Sequence, residues 1–272
     1  MPTYARVLEG YRRALPILWR QACTGASASR HSAAWLMGNA GLLLRLGQAL
    51  VAIDVVCPSE LVGEAAADLC AALPTPDVTL VTHGHRDHCD PGLLRSVAGR
   101  GSLVVVPAGL APLLKSYGVP RENLIETTAG EDLYAAGVAL RALPARHATE
   151  VEPLGYMLEA GGLRVLHTGD NTGLNALGPS IPRERAPDLL AFSPWLDQEG
   201  PPGNPRHFAN CLALLEAVRP RLALPVHLYE LTCHTPGAML RFVHMARWKE
   251  ALLCRLPGME FRLAGLGEEV AL

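Results

Sequence analysis

The sequence predicts an α/β protein whose elements are best arranged as a four-layer α/β/β/α sandwich. Short apolar runs bounded by turn residues alternate with helical patterns, and each half of the chain runs from several strands into helices. No linker or low-complexity segment separates the halves. The chain has 272 residues, of which 49% are hydrophobic and 18% charged. This composition supplies a large core and excludes a disordered protein.

The individual elements follow from hydrophobic periodicity and turn residues. An amphipathic helix in Met1 to Cys23 precedes a joint rich in Gly, Ser and Ala, so we expect an N-terminal helical extension over 1–32 and the main domain over 33–272. Asp90 is the expected N-cap of the second helix after this extension. Predicted strands are Trp35–Met37, Gly41–Leu46, Leu50–Val56, Val78–Thr82, Leu103–Val106, Leu124–Thr127, Val138–Pro144, Gly155–Glu159, Arg164–Thr168, Leu189–Phe192, Leu222–Val226 and Glu260–Leu263. Predicted helices are Leu61–Ala72, Pro91–Val97, Leu110–Tyr117, His207–Val218 and Gly237–Leu252.

Charge and cysteine content narrow the class of protein. The 24 basic and 26 acidic residues give a net charge of −2, whereas binding to nucleic acid through phosphates normally requires a basic excess. No apolar run approaches the ~20 residues that span a bilayer, and the N-terminal run, which ends at Arg20, is too short for a signal peptide. The seven cysteines include no C-x-x-C pair, which argues against a disulfide framework. We expect a cytoplasmic protein with no membrane partner.

The most informative segment follows the predicted strand Val78–Thr82. His83, His85, Asp87 and His88 place four ligand-type side chains within six residues. His83 and His85 are two residues apart, so on an extended backbone they project to the same side. The other two follow where the chain turns into the next helix and can approach from another direction. Imidazole nitrogens and carboxylate oxygens are the usual ligands of zinc and related divalent metals, so the pattern predicts a metal site.

This H-x-H-x-D-H pattern after a buried strand resembles the signature of the metallo-β-lactamase superfamily. The later ligands of that family, a histidine, an aspartate after a strand and a histidine after a late strand, correspond in order to His147, Asp170 and His227. The Gly38–Gly41 turn and Asp54 also resemble the opening of the family. The resemblance extends from about residue 35 to the C-terminus, and in detail it is most similar to the branch that contains L-ascorbate-6-phosphate lactonase.

The resemblance implies a site for two divalent metal ions, with Zn²⁺ the first choice and Mn²⁺ or Fe²⁺ as alternatives. One ion would be held by His83, His85 and His147, the other by Asp87, His88 and His227, with Asp170 bridging the two. Two such ions can share a hydroxide, lower its pKa and polarise an electrophile. Asp87 could also accept the proton as the nucleophile forms, so Asp87 and Asp170 are the expected catalytic residues. His85 is kept where di-iron oxygen and nitric oxide reductases of the family carry a carboxylate, which counts against redox chemistry.

The expected function is hydrolysis of an ester or lactone bond in a small molecule by a hydroxide that two metals bridge. A phosphodiesterase or nuclease of the same fold stays open, because the same metal pair clamps phosphoryl oxygens equally well. The lack of a basic excess makes nucleic acid the less favoured partner. A non-catalytic metal-binding module is the alternative from another class. The substrate and the oligomeric state, a homo-oligomer included, stay open.

Four residues outside the metal set are candidates for contact with the substrate. Tyr229 and His234 follow His227 on an expected loop at the mouth of the site, where a side-chain donor could stabilise a developing oxyanion. Trp195 and Arg206 are candidates for a second wall, and the guanidinium of Arg206 could pair with a phosphate or carboxylate.

Four further residues have competing interpretations. Asp54 either orients a ligand histidine by accepting its second N–H or serves the turn after its strand. His167 is expected in the core or on the surface rather than among the ligands. Cys89 and Cys233 lie near ligands in the sequence and could form a redox pair, but cysteine is often only a small buried apolar residue.

Overall fold

Two mixed β-sheets form the centre of the fold. The computed structural model describes residues 4–57, 59–172, 181, 185–194, 205–228 and 238–272. In the first sheet the strand order is β14-β1-β2-β3-β4-β5-β6. Its strands are β1 Ala33–Gly38, β2 Gly41–Leu46, β3 Ala49–Ile53, β4 Val78–Leu80, β5 Leu103–Pro107, β6 Leu124–Thr127 and β14 Glu269–Ala271. The first three form an antiparallel meander, and β3 to β6 pair in parallel.

The second sheet repeats this change from antiparallel to parallel pairing. Its strand order is β13-β12-β11-β10-β9-β8-β7. The strands are β7 Asp132–Ala135, β8 Val138–Pro144, β9 Leu154–Ala160, β10 Leu163–His167, β11 Leu189–Phe192, β12 Leu222–Pro225 and β13 Glu260–Phe261. Strands β7 to β10 are antiparallel and β10 to β13 parallel.

Helices cover the outer faces of both sheets. They are α1 Tyr4–Ala28, α2 Ser59–Val62, α3 Ala66–Ala72, α4 Pro91–Ala98, α5 Ala111–Ser116, α6 Pro205–Val218 and α7 Ala238–Arg255. Helices α1, α3, α4 and α5 pack on the first sheet, whereas α6 and α7 pack on the second. This confirms the predicted α/β/β/α sandwich. Among the described residues, no helix has the length and apolar character to cross a bilayer.

Both faces of the central strands are buried, which explains their continuous apolar sequences. In β1, Ala34 and Leu36 face the second sheet, whereas Trp35 and Met37 face the helical layer that includes α1. Helix α1 also contacts the helices beside it, because Trp19 Nε1 donates a hydrogen bond to the carbonyl of Leu69 at 2.8 Å. The predicted helical extension therefore packs on the first sheet.

The structure departs from the predicted elements in three respects. Helix α1 continues to Ala28, five residues into the predicted joint that follows Cys23. The single helix predicted over Leu61–Ala72 is divided into α2, a 3-10 turn and α3, because Gly63 has a φ of +58° and a left-handed glycine ends a helix. The prediction also missed the short strands β7 and β14. Each buries a single residue, Ala135 and Val270 respectively, so neither forms an apolar run that marks a strand. Asp90 caps α4 as predicted, accepting from the backbone N–H of Leu93 at 3.0 Å.

Candidate metal centre

Seven side chains from four loops converge at one edge of the sandwich. The His83–His88 segment follows β4, and the other three loops follow β8, β10 and β12 and carry His147, Asp170 and His227 respectively. In α/β sheets, ligands characteristically bind where strands end. All seven of the predicted metal ligands are brought together here, in two groups that could each hold a metal ion.

The first group consists of His83, His85 and His147. His85 Nδ1 lies 3.1 Å from His83 Nε2 and 3.2 Å from His147 Nε2. His83 is buried, His147 half-buried and His85 exposed, so the group opens to solvent on the His85 side. Three ring nitrogens directed at one another are better placed to bind a cation than to form hydrogen bonds with one another, because a neutral imidazole has only one N–H to donate.

The second group consists of Asp87, His88, Asp170 and His227. His227 Nε2 lies 3.0 Å from Asp87 Oδ2 and 3.3 Å from Asp170 Oδ2. His88 Nε2 lies 3.3 Å from Asp170 Oδ2 and 3.5 Å from Asp87 Oδ2. The two groups adjoin, since the ring centroids of His83 and His88 are 4.0 Å apart.

Two buried atoms of the second group indicate that the site is built for a cation. Within the described part of the chain, neither His88 Nε2 nor Asp170 Oδ1 makes a hydrogen bond, and buried polar atoms without partners are rare in native proteins. Both are typical ligand atoms for zinc, manganese and iron. The residues present therefore fit divalent metal ions.

Two histidines of the first group, His83 and His147, are held in the neutral form that binds metals. Burial lowers the pKa of His83 to about 3, and burial also lowers the pKa of His147. Both rings are consequently neutral near pH 7, each with a lone pair on one nitrogen.

In the second group, charge pairing outweighs burial. Burial disfavours charge on His227 and His88, but Asp170 beside them raises the pKa of His227 to about 9 and that of His88 well above its ordinary value. Burial likewise opposes ionisation of the two carboxylates, but His227 and His88 hold the pKa of Asp170 and that of Asp87 below the ordinary value. The carboxylates are therefore ionised, and a divalent cation would displace the protons on the two rings.

Asp54 fixes the orientation of ligands in both groups. Its Oδ2 accepts from His88 Nδ1 at 2.8 Å and from Thr82 Oγ1 at 2.6 Å, and its Oδ1 accepts from the backbone N–H of Thr82 at 2.8 Å. Because the Thr82 hydroxyl gives its proton to Asp54, its 3.0 Å contact with His83 Nδ1 is donated by the ring. His83 and His88 thus both present Nε2 to the site. Of the two interpretations of Asp54, these contacts match the one in which it accepts the second N–H of a candidate ligand histidine.

The β1–β2 turn joins three of the ligand segments. Asn39 is buried, and its side-chain Nδ2 donates to the carbonyl of Asp87 at 3.3 Å. Its backbone carbonyl accepts from the backbone N–H of His227 at 2.6 Å. The next residue, Ala40, accepts from His167 Nε2 at 2.9 Å. Asn39, Asp54 and His227 all have positive φ, a conformation that non-glycine residues adopt at a cost and that clusters at functional sites.

The loops that carry His147 and Asp170 are also tied together. Asn171 Oδ1 accepts from the backbone N–H of Arg146 at 3.2 Å, and the N–H and hydroxyl of Thr172 both donate to the Arg146 carbonyl at 2.6 Å. These hydrogen bonds between the two loops therefore fix the position of His147 in the first group relative to Asp170 in the second.

A family model described as the β-lactamase superfamily domain matches residues 54–228, which is more than half of the 272 residues. The chain belongs to the metallo-β-lactamase superfamily. The match begins at Asp54 and ends one residue after His227, so it contains the complete set of seven side chains.

Two relatives match part of the sequence at low identity. An uncharacterised protein of Mycobacterium tuberculosis is 29% identical over 130 residues, which cover 44% of this chain and 35% of that protein. This chain thus spans only about a third of that relative. A UPF0173 metal-dependent hydrolase of Thermus thermophilus is 26% identical over 202 residues, covering 70% of this chain and 81% of the relative. The structure of Igni18, a metallo hydrolase of Ignicoccus hospitalis, superposes with a TM-score of 0.69 at 19% identity, covering 89% of this chain and 98% of the other.

The remaining candidates have different outcomes. Trp195, Tyr229 and His234 lie outside the described residues, and Arg206 lies in helix α6, where its side chain is not described. Their contact with substrate therefore stays a prediction. His167 is a buried core residue, as expected, and Gly169 N–H donates to its Nδ1 at 3.1 Å.

The proposed cysteine pair receives no support from the thiol that the structure describes. Cys89 is buried, and burial raises the pKa of its thiol to about 12. A thiol that does not ionise near neutral pH is a poor nucleophile. Cys233 lies outside the described residues.

Sequence reasoning missed Asn39, Thr82 and Asn171 as positioning residues of this superfamily member. The sequence indicates Asn39 only as part of the Gly38–Gly41 turn. For Thr82 there is one local signal, namely that it is a polar residue at the end of a predicted strand and directly before the histidine motif.

Proposed function

We propose that this protein is a metal-dependent hydrolase that cleaves an ester or lactone bond of a small molecule with two divalent metal ions. The observation that carries the proposal is the convergence of seven ligand-type side chains into two adjoining groups. A non-catalytic module needs no second group of ligands beside the first. The names of the Thermus and Ignicoccus proteins, both described as metal hydrolases, support the same class of activity.

The metal assignment follows the two groups. His83, His85 and His147 would hold one ion, Asp87, His88 and His227 the other, and Asp170 would contact both. Asp170 suits a bridging position, since its charge acts on His83 and His147 of the first group as well as on His88 and His227 of the second. Ions bound there would supply a nucleophile at neutral pH and polarise the carbonyl of the substrate.

The two carboxylates have different contacts and different proposed roles. Asp170 Oδ1 is buried, and its Oδ2 lies 3.3 Å from Nε2 of both His88 and His227, so Asp170 positions ligands and balances their charge. The side chain of Asp87 is 21% exposed and ionised, so it can reach solvent and accept a proton from attacking water. Asp54, Thr82 and Asn39 take no part in bond cleavage and hold the ligands in place.

The test compares two substrate classes on one preparation. Zn²⁺- and Mn²⁺-loaded protein is assayed with a simple lactone and with an aryl phosphodiester, and the Asp170→Asn variant serves as the blank. Asp132→Asn, a substitution of an exposed aspartate on β7, is the matched control. Lactone turnover that Asp132→Asn keeps and Asp170→Asn loses supports the proposal.

The other outcomes identify the alternatives. Turnover of the diester alone places the protein with the phosphodiesterases. Failure to cleave either substrate while both ions are bound favours a non-catalytic metal-binding module. Zn²⁺ remains the preferred metal in this proposal and the cytoplasm the preferred location.

A further inference from the structure

A cleft of about 510 Å³ opens beside the first ligand group. Gly84 and His85 form its inner end, Leu110 and Leu113 at the start of α5 form one wall, and the segment 148–151 forms the other. His85 of the first group therefore lines the cleft, and the second wall begins at the residue that follows His147. A molecule in this space would reach the metal centre from the His85 side, which is the side that opens to solvent.

The walls are held together at defined points. A Cβ atom added at Gly84 would lie 3.4 Å from Leu110 Cδ1, and one added at Gly109 would lie 3.5 Å from Val151 Cγ1. The backbone of the ligand-bearing loop thus lies close to one wall, and the two walls approach each other at Gly109 and Val151. The cleft is part of the packed structure around the site.

The lining of the cleft is mainly apolar. Leu110, Leu113, Ala148 and Val151 supply aliphatic side chains, and Glu150 is the one Asp, Glu, Lys or Arg among the described lining residues. Leu113 is 46% exposed, although a large apolar side chain in water gains free energy when it is covered. A lining with one carboxylate and no described lysine or arginine side chain offers no charged partner to a phosphate or carboxylate group on the substrate's tail.

We propose that this cleft binds an uncharged, apolar portion of the substrate, such as the acyl chain of an ester or the alkyl tail of a lactone. The proposal rests on the hydrolase activity proposed above and narrows it, because phosphorylated and carboxylated substrates are disfavoured. Leu113 and Glu150 are the residues that would set this preference. Leu113 covers the tail, and Glu150 excludes negative charge.

The first experiment varies the tail at a constant reacting group. Metal-loaded protein is assayed with 4-nitrophenyl acetate, butanoate and octanoate and with the negatively charged 4-nitrophenyl hemisuccinate. Each methylene that enters the cleft is expected to raise kcat/KM about threefold to fourfold. Octanoate should therefore exceed acetate at least about tenfold, and the hemisuccinate should be the poorest substrate of similar length. Equal rates along the series, or a preference for the hemisuccinate, would overturn the proposal.

Variants locate the effect in the cleft. Leu113→Asp is expected to lower kcat/KM for octanoate at least about tenfold and to leave acetate within about twofold. The matched control is Ile17→Asp on α1, another exposed aliphatic residue, which should change neither rate. Glu150→Gln should raise the rate with the hemisuccinate alone. Equal losses with acetate and octanoate in Leu113→Asp would indicate a structural effect and overturn the proposal.

A binding measurement separates this proposal from the hydrolase activity itself. The uncharged fluorophore N-phenyl-1-naphthylamine is titrated into metal-loaded wild type, Leu113→Asp and Ile17→Asp, and decanol is used to displace it. The cleft is supported if Leu113→Asp weakens binding of the fluorophore at least about fivefold and Ile17→Asp leaves it unchanged. This holds even if no ester is cleaved, because in that case only the proposed activity fails. Binding that is absent, or equal in all three proteins, overturns the cleft even if esters are cleaved.

Discussion

The carboxylate of Asp54 accepts a hydrogen bond from His88 Nδ1 at 2.8 Å, and both side chains are completely shielded from solvent. The same carboxylate accepts two hydrogen bonds from Thr82, whose hydroxyl in turn accepts from His83. One buried charge therefore orients a histidine in each ligand group. Since neither contact reaches the substrate, this arrangement can be tested through metal affinity alone.

We expect Asp54→Asn to weaken metal binding about 10- to 100-fold, the usual effect of removing such a hydrogen-bond acceptor behind a ligand. An asparagine amide has only one acceptor oxygen. Its NH₂ group would therefore place a donor against another donor, either the Thr82 N–H on one side or His88 Nδ1 and the Thr82 hydroxyl on the other. Competition with a chromogenic chelator measures the affinity. Asp77→Asn is the control, because Asp77 accepts from Leu50 N–H at the opposite end of β4. Wild-type affinity in a folded Asp54→Asn protein would contradict the role.

Thr82→Val tests the branch of this network that leads to the first group. Valine has nearly the shape of threonine but no hydroxyl, so His83 Nδ1 loses its acceptor while His88 keeps Asp54. We expect the affinity for one of the two ions to fall about tenfold and the free energy of unfolding to fall by about 1 kcal/mol. Calorimetric titration with Zn²⁺ resolves the two ions.

Thr79→Val is the matched control for that experiment. Thr79 is also buried, and its hydroxyl forms a 2.9 Å hydrogen bond with Ser102, the residue directly before β5. It should lose a similar amount of stability and no metal affinity. If both variants bind metal like the wild type, the Thr82 hydroxyl does not position His83.

The convergence of the seven candidate ligands could be predicted from sequence, because His83, His85, Asp87 and His88 form a compact motif and the resemblance to the superfamily indicated His147, Asp170 and His227. The role of Asn39 could not be predicted, and the two interpretations of Asp54 could not be separated, because the contacts of both residues depend on which distant segments meet. Asn39 is 48 positions from Asp87, and Asp54 is 34 positions from His88. An aspartate at a strand end has the same local sequence whether it accepts from a turn or from a ligand. Only the packing of the strands decides between them.

The strands likewise differ in how well their own sequences predict them. The inner strands are apolar on both faces, and their sequences predicted them within a few residues. Strand β7 escaped prediction because it is an edge strand in which Tyr134 is 77% exposed, so its apolar pattern is weak. Strand β14 is recognisable only through its pairing with β1, more than 230 positions away. Edge strands depend on their partners more than on their own periodicity.

Removing one ligand from each group tests the two-ion assignment. We expect wild type to retain two ions per chain after dialysis and each variant to retain one, measured by inductively coupled plasma mass spectrometry. His85→Ala truncates an exposed ligand of the first group. His227→Asn removes the imidazole from the second group while supplying a residue that tolerates the φ of +61° at this position.

The control for the two-ion experiment is His31→Ala. His31 is an exposed histidine that contacts Glu269 at 2.7 Å, and its loss should leave both ions bound. One ion in the wild-type protein, or the loss of both ions from either variant, would contradict two separately held ions.

Removal of the metal should lower stability without unfolding the protein. The core between the sheets is built from aliphatic side chains of both sheets and includes none of the seven ligands, so it forms without metal. A ligand at 100 times its Kd stabilises the folded state by about 2.7 kcal/mol, which for a domain of this size corresponds to roughly 5–10 °C in Tm. We expect EDTA to lower Tm by roughly 5–10 °C and added Zn²⁺ to restore the original Tm. His85→Ala should recover only part of the shift. An unfolded protein after chelation, or an unchanged Tm, would contradict this account of the site.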